Sequence, residues 1–186
     1  MADLSLIRAV CWRRDDGLGA EYAALWRDGP GWQLRGTVVM VIDGRPVSVR
    51  YGILCDAGWH TTAVHIAQRA TAPEQGLHLT RTDGEWRTNG VRRPELAGCI
   101  DVDLEITPAT NTLPIRRLDL SPGTRVDVVA AWVRFPSLEI ERLDQTYARI
   151  GANRYVYSSG DFKAELTVDD LGLVVNYEDA WTRISR

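Results

Sequence analysis

Lysine is almost missing from this chain: Lys163 is the only one among 22 basic residues. No function follows from that bias alone. Cysteine is scarce as well. Cys11, Cys55 and Cys99 are odd in number and widely spaced, with no C-x-x-C and no Cys/His cluster at zinc spacing. They read as reduced, buried thiols, which suits the cytoplasm. The three histidines, His60, His65 and His78, are scattered. The first two fall on opposite faces of an expected strand and the third lies in another, so no metal site is expected. No run approaches eighteen apolar residues, which excludes a spanning helix. The N-terminus lacks the pattern of a signal peptide: Asp3 comes early, Arg8 breaks the apolar run, and Arg13-Arg14-Asp15-Asp16 follows. There is no Gly-x-Ser-x-Gly elbow, glycine-rich phosphate loop or dinucleotide fingerprint. A serine hydrolase, kinase or dehydrogenase is therefore not indicated, and no cofactor is expected. The net charge of −3 argues against non-specific binding to nucleic acid or anionic membranes.

What is present is an ordinary globular composition, 45% hydrophobic and 25% charged, over 186 residues. That length suits one domain, residues 1–186, able to bury ~70% of the surface of its unfolded chain. Seven tryptophans supply bulk for strand faces or ligand clefts.

The punctuation is that of a β protein. Asp43-Gly44 and Asp83-Gly84 are hairpin signals, and Gly29-Pro30-Gly31, Ser121-Pro122-Gly123, 158–161 and 169–172 mark further turns. Between them lie runs of period two or of β-branched character. Strands are expected over 4–12, 21–27, 32–42, 46–55, 59–69, 76–82, 85–88, 99–106, 124–135, 154–158, 162–168 and 172–177. Residues 137–150 fit a helix or a strand, and the alternation of Leu138-Glu139-Ile140-Glu141 favours the strand. A dozen strands are too many for a flat sheet, so a roll, barrel or sandwich is expected. A short helix fits 112–118, with Thr110 or Asn111 as its N-cap and Pro114 in its first turn.

The densest polar stretch is Cys99–Leu118. Strand alternation puts Cys99, Asp101, Asp103 and Glu105 on one face and Ile100, Val102, Leu104 and Ile106 on the other. The acids either meet solvent or line a polar cavity, where Arg116 and Arg117 can reach them across the turn. Asp101 and Asp103 are also spaced as a carboxylate pair for acid–base chemistry, although Asp-x-Asp is common. Thr110 and Asn111 can cap the backbone or bind sugar hydroxyls. Tyr155, Tyr157 and Ser159 share a strand face, and a subset of the aromatics lining a cavity would stack on sugar rings or pack on acyl chains.

The run 99–118, with Thr110-Asn111-Thr112-Leu113-Pro114-Ile115-Arg116-Arg117-Leu118 at its centre, resembles the bacterial "Putative glycolipid-binding" family. Arg154-Tyr155-Val156-Tyr157, 162–168, 172–177 with Trp181, Trp12 and the 32–55 hairpin are similar too. The resemblance implies a spiral β-roll, mainly antiparallel and wound around a helix, with a homodimer among its expectations. It implies an amphiphilic or sugar-containing ligand and supplies no catalytic residues. The resulting expectation is a non-catalytic binding protein whose ligand meets Asp101, Asp103, Thr110, Asn111, Arg116, Arg117, Tyr155 and Tyr157. A structural or interaction module ranks second, with Asp101 in a buried ion pair to Arg116 or Arg117. A carboxylate-dependent enzyme ranks third.

Overall fold

The computed structural model describes residues 4–70 and 73–185. Eight strands run up and down from the N-terminus: β1 (Leu4–Arg14), β2 (Gly19–Asp28), β3 (Gly31–Ile42), β4 (Arg45–Cys55), β5 (Thr61–Arg69), β6 (Gln75–Thr82), β7 (Glu85–Thr88) and β8 (Val91–Arg92). A 3-10 turn, Pro94–Leu96, leads to β9 (Asp101–Leu104). A second, Ala109–Asn111, leads into α1 (Thr112–Leu118). A further six strands follow: β10 (Arg125–Val133), β11 (Ile140–Arg149), β12 (Arg154–Ser159), β13 (Phe162–Val168), β14 (Val174–Tyr177) and β15 (Trp181–Arg183).

All fifteen strands belong to one sheet, in the order β8-β7-β6-β5-β4-β3-β2-β1-β15-β14-β13-β12-β11-β10-β9. It is two meanders joined where β1 pairs with β15. Neighbours are antiparallel except β9 and β10, which run parallel, with Asp101 opposite Ala130 and Asp103 opposite Trp132. A parallel pair needs a crossover rather than a tight turn. The residues from the second 3-10 turn through α1 supply it.

Local chemistry explains the hairpins. Asp43 and Gly44 both have positive φ (49° and 73°), as do Asp83 and Gly84 (51° and 80°), the pattern of tight turns that follow the strand twist. Alternation then sorts the faces: on β3, Val38 and Met40 are buried while Val39 and Val41 are exposed. A sheet of this size coils, and its two ends approach without closing into a barrel. The Val102 N–H donates to Thr61 Oγ1 (3.3 Å). Arg81 Nε and Trp86 Nε1 both donate to the Cys99 carbonyl (3.1 and 2.9 Å). Inside lies one continuous apolar core that includes Trp12, Trp86, Leu104 and Leu113.

α1 buries Thr112 through Ile115. Its last turn carries Arg116 and Arg117, whose charge suits the negative end of the helix. It ends at Asp119, in the left-handed conformation (φ 40°).

Several sequence expectations are corrected. β5 begins at Thr61, so Trp59 and His60 precede it. Trp59 sits at φ 67° in a turn where Asp56 Oδ1 accepts the N–H groups of Gly58 and His60 (both 2.9 Å). Asp56, a turn-forming residue, thus stops the strand short, and His60 and His65 do not share it. Asn111 occupies the N-cap of α1 as expected, but neither it nor Thr110 bonds the first turn with its side chain. The chain enters through the 3-10 turn instead, where the Thr107 hydroxyl accepts the Ala109 N–H (3.0 Å). The strand favoured within 137–150 is borne out as β11, Ile140–Arg149. β8, β15 and the parallel pairing were not anticipated.

Candidate functional site

β9 is buried on both faces, because one side meets the roll interior and the other the crossover. Asp101 and Asp103 of β9 and Glu105 just after it occupy three environments. Asp101 is 2% exposed. Its carboxylate accepts from Arg117 Nε (3.1 and 3.2 Å) and Nη2 (2.6 Å), a two-pronged pair within the wall. Glu105 is exposed, and its Oε2 accepts the Phe135 N–H (2.7 Å).

Asp103 lies between these, half-buried, with neutral partners only. Its Oδ1 accepts from the Thr110 hydroxyl (3.0 Å) and its Oδ2 from Gln145 Nε2 (2.6 Å). Gln145 Nε2 also donates to the Tyr157 hydroxyl (3.0 Å). Burial pushes the Asp103 carboxyl above its ordinary range; the Thr110 and Gln145 bonds pull down, and the charges of Glu105 and Asp101 push up. Burial likewise raises Asp101, with Arg117 opposing it.

Asp103 opens onto a cavity of about 420 Å³ among β9–β14. Asp103, Glu105, Thr107 and Asn111 bring polar groups to it, and Trp132, Leu143, Tyr157, Phe162 and Tyr177 bring apolar surface. The aromatic rings interlock: Tyr157 lies 6.0 Å from Phe162 and 6.4 Å from Tyr177, centroid to centroid. Phe162 is half exposed. Behind the cavity, the Tyr147 hydroxyl donates to Asn111 Oδ1 (2.8 Å), fixing the amide. Such a space, mostly apolar with a few fixed polar groups, is suited to orienting a small molecule.

One wall of the cavity rests on a buried acid from the other meander. Glu21, on β2, is 2% exposed. Its carboxyl receives the Tyr51 hydroxyl (2.5 Å) and the Thr107 hydroxyl (2.8 and 2.6 Å). Burial raises its pKa to about 8 against these two bonds, so it is mostly protonated at neutral pH. Gly36 makes this contact possible: a Cβ there would collide with the Tyr51 ring, which crosses β3 to reach β2.

The structure thus divides the residues selected from sequence. Asp103, Asn111 and Tyr157 line the cavity, with Thr110 directly behind Asp103. Asp101 and Arg117 hold each other outside its lining. Arg116 and Tyr155 line a different cavity, beyond the far end of α1. Asp101 and Asp103 therefore do not face one reacting centre together. Sequence reasoning passed over Glu21, Thr107, Trp132, Gln145, Phe162 and Tyr177. Two of them carry a readable signal: Glu21 shares a face with Ala23 and Leu25, and Gln145 alternates with Leu143 and Tyr147, so each is a polar residue at a core position. Among the described residues no group of three His, Cys, Asp or Glu could hold a metal ion. No helix there is long and apolar enough to cross a membrane.

A coiled, mainly antiparallel sheet with a largely buried helix defines a β-roll, here with an aromatic–carboxylate cavity in its second meander. The chain belongs to the family described as "Putative glycolipid-binding", whose model matches residues 9–183. It is similar to a DUF1089 family protein from Pseudomonas aeruginosa known from a crystal structure. The two share 32% identity with a TM-score of 0.80, over 88% of this chain and 92% of that one. No curated protein matches.

Proposed function

We propose that this protein binds an amphiphile with a hydroxyl-rich head in the cavity among β9–β14, without transforming it. The observation that carries the reading is Asp103: a half-buried carboxylate with neutral partners, beside an aromatic cluster at a cavity. A carboxylate accepts charge-assisted hydrogen bonds from sugar hydroxyls. Trp132, Tyr157, Phe162 and Tyr177 offer faces for a ring or a short acyl chain. Asn111, held by Tyr147, adds a fixed amide. Membership of the family supports the ligand class. Three unpaired cysteines suit a reducing compartment, so the reading places the ligand in the cytoplasm. The family resemblance adds a homodimer, which light scattering would check.

The test is titration with octyl glucoside, octyl galactoside and dodecyl maltoside below their micelle concentrations, followed by tryptophan fluorescence. Saturable binding is expected for at least one of them. Asp103→Asn should weaken it about tenfold, the order expected on losing a hydrogen bond to a charged group. The melting temperature should change little. No saturable response to any of the three, or equal affinity in Asp103→Asn and Trp132→Ala, overturns the reading.

A further inference from the structure

We propose that a second cavity, at the C-terminal end of α1, binds an anion of the phosphate type through Arg116. The cavity measures about 260 Å³ and shares no lining residue with the first. Its polar groups come from Arg116, Arg149, Asn153 and Tyr155 and from three carboxylates, Asp119, Asp169 and Asp170.

Arg116 is the only lining cation whose donors are not taken up. Among the described residues it forms no ion pair. Nη1 reaches only the Asp170 carbonyl, at 3.5 Å, and the buried Nε has no partner. Nη2, which is accessible and has no partner among the described residues, is the donor left to meet a ligand in the cavity. The side chain is nonetheless held in place. Its guanidinium lies 5.6 Å over the Trp59 ring, and its stem packs on Gly172, where a Cβ would stand 2.9 Å from Arg116 Cδ.

Arg149 supplies a second positive charge at a fixed position. Its donors go to the carbonyls of Leu120 (2.6 Å), Gly151 (3.2 Å) and Ala152. Two of the lining carboxylates are already occupied from outside: Asp169 by Arg8 (3.2 Å) and Arg183 (2.7 Å), and Asp170 by Arg8 (3.3 Å). Asp119 is the lining acid with no ion pair among the described residues. With Arg8 and Arg183 counted from outside the lining, four arginines face three aspartates and the negative end of α1, which leaves a partial positive charge centred on the guanidinium with free donors. A tetrahedral oxyanion fits both the space and the planar donor set.

The same chemistry serves a free phosphate or a phosphorylated lipid head. Calorimetry at low ionic strength with inorganic phosphate, and separately with dioctanoyl phosphatidic acid below its micelle concentration, tests the site and its source. Wild-type protein should bind phosphate saturably at one site, and Arg116→Gln should weaken it about tenfold or more. Asn153→Asp places a like charge on an exposed wall side chain that makes no hydrogen bond among the described residues, while the backbone carbonyl that accepts the Val168 N–H (2.9 Å) is kept, and it should weaken binding even if Arg116→Gln fails to fold. Asp103→Asn should leave phosphate affinity unchanged, and Asn153→Asp should leave glycoside affinity unchanged, so this site and the first can fail separately. Tighter binding of the lipid than of inorganic phosphate assigns a lipid head, and equal affinity assigns a free anion; either supports the site. Absence of saturable phosphate binding, or wild-type affinity in Asn153→Asp, overturns it.

Discussion

The two meanders of this sheet are built by different rules. β1–β8 is a run of hairpins whose inner face is filled mainly by aliphatic and aromatic residues, with Glu21, Gln33, Thr61 and Gln68 as its separately placed buried polar residues. β9–β15 interrupts that pattern with a parallel strand, a helix and a row of buried polar side chains: Asp101, Thr107, Thr110, Asn111 and Thr112. Strand pairing and apolar burial organise the first. The second adds a network in which each polar group is placed by a named partner, and the cavity lies beside that network. The difference explains why the proposed binding site falls in the second meander. The first meander supports it, because its buried Glu21 reaches across to hold Thr107 in the second.

The sharpest way to break the comparison is to unpair Asp101. Arg117→Ala leaves a buried carboxylate without its cation, which should cost about 3–5 kcal/mol in urea denaturation. A loss under 1 kcal/mol would mean that the pair is not part of what orders the second meander. The joint between the meanders should show next, in pH dependence. Folded Glu21 keeps its proton up to about 8, against 4.5 ordinarily, so between those values the folded state holds more protons than the unfolded one. Stability must then fall as pH rises through that window, by up to about 1.4 kcal/mol per unit. Asp101 and Asp103 are also raised and act in the same direction. Glu21→Gln should make the slope shallower between pH 6 and 8, measured by thermal melts; an unchanged slope would remove Glu21 from the joint. The smallest effect belongs to an exposed pair. Arg154 and Glu165 meet at 2.7 and 2.8 Å on the outer surface. Arg154→Ala should leave the thermal melt almost where it is in wild type, because solvent screens such pairs.

Legibility in the sequence follows the same division. Asp43-Gly44 and Asp83-Gly84 announce their turns because two successive positive φ values demand those residues. Alternation exposes the faces of β3 and β4. Asn89-Gly90, at φ 48° and 84°, carried the same signal for the β7–β8 hairpin and was passed over. The parallel partner of β9 was unreadable, since alternation sets a strand's faces but not its neighbour. Adjacent arginines looked like one site in the sequence. On a helix, however, neighbours point about 100° apart, so Arg117 reaches back to Asp101 while Arg116 turns to Trp59. Asp101 and Asp103 shared a face as expected, yet their partners arrive from separate elements, α1 for one and β11 for the other. That information resides in the tertiary fold. Asp56 shows the converse: a side chain bonding to nearby backbone ended a strand that alternation alone would begin two residues earlier.

The most direct measurement is native mass spectrometry of the purified protein, before and after denaturing extraction and refolding, followed by titration with the three glycosides. The expected result is either a co-purified amphiphile that denaturation releases or a one-to-one glycoside complex, with Asp103→Asn reducing the occupied fraction. A wild-type protein that carries nothing, and forms no complex with any of the three, would contradict the claim that the cavity beside Asp103 is a binding site.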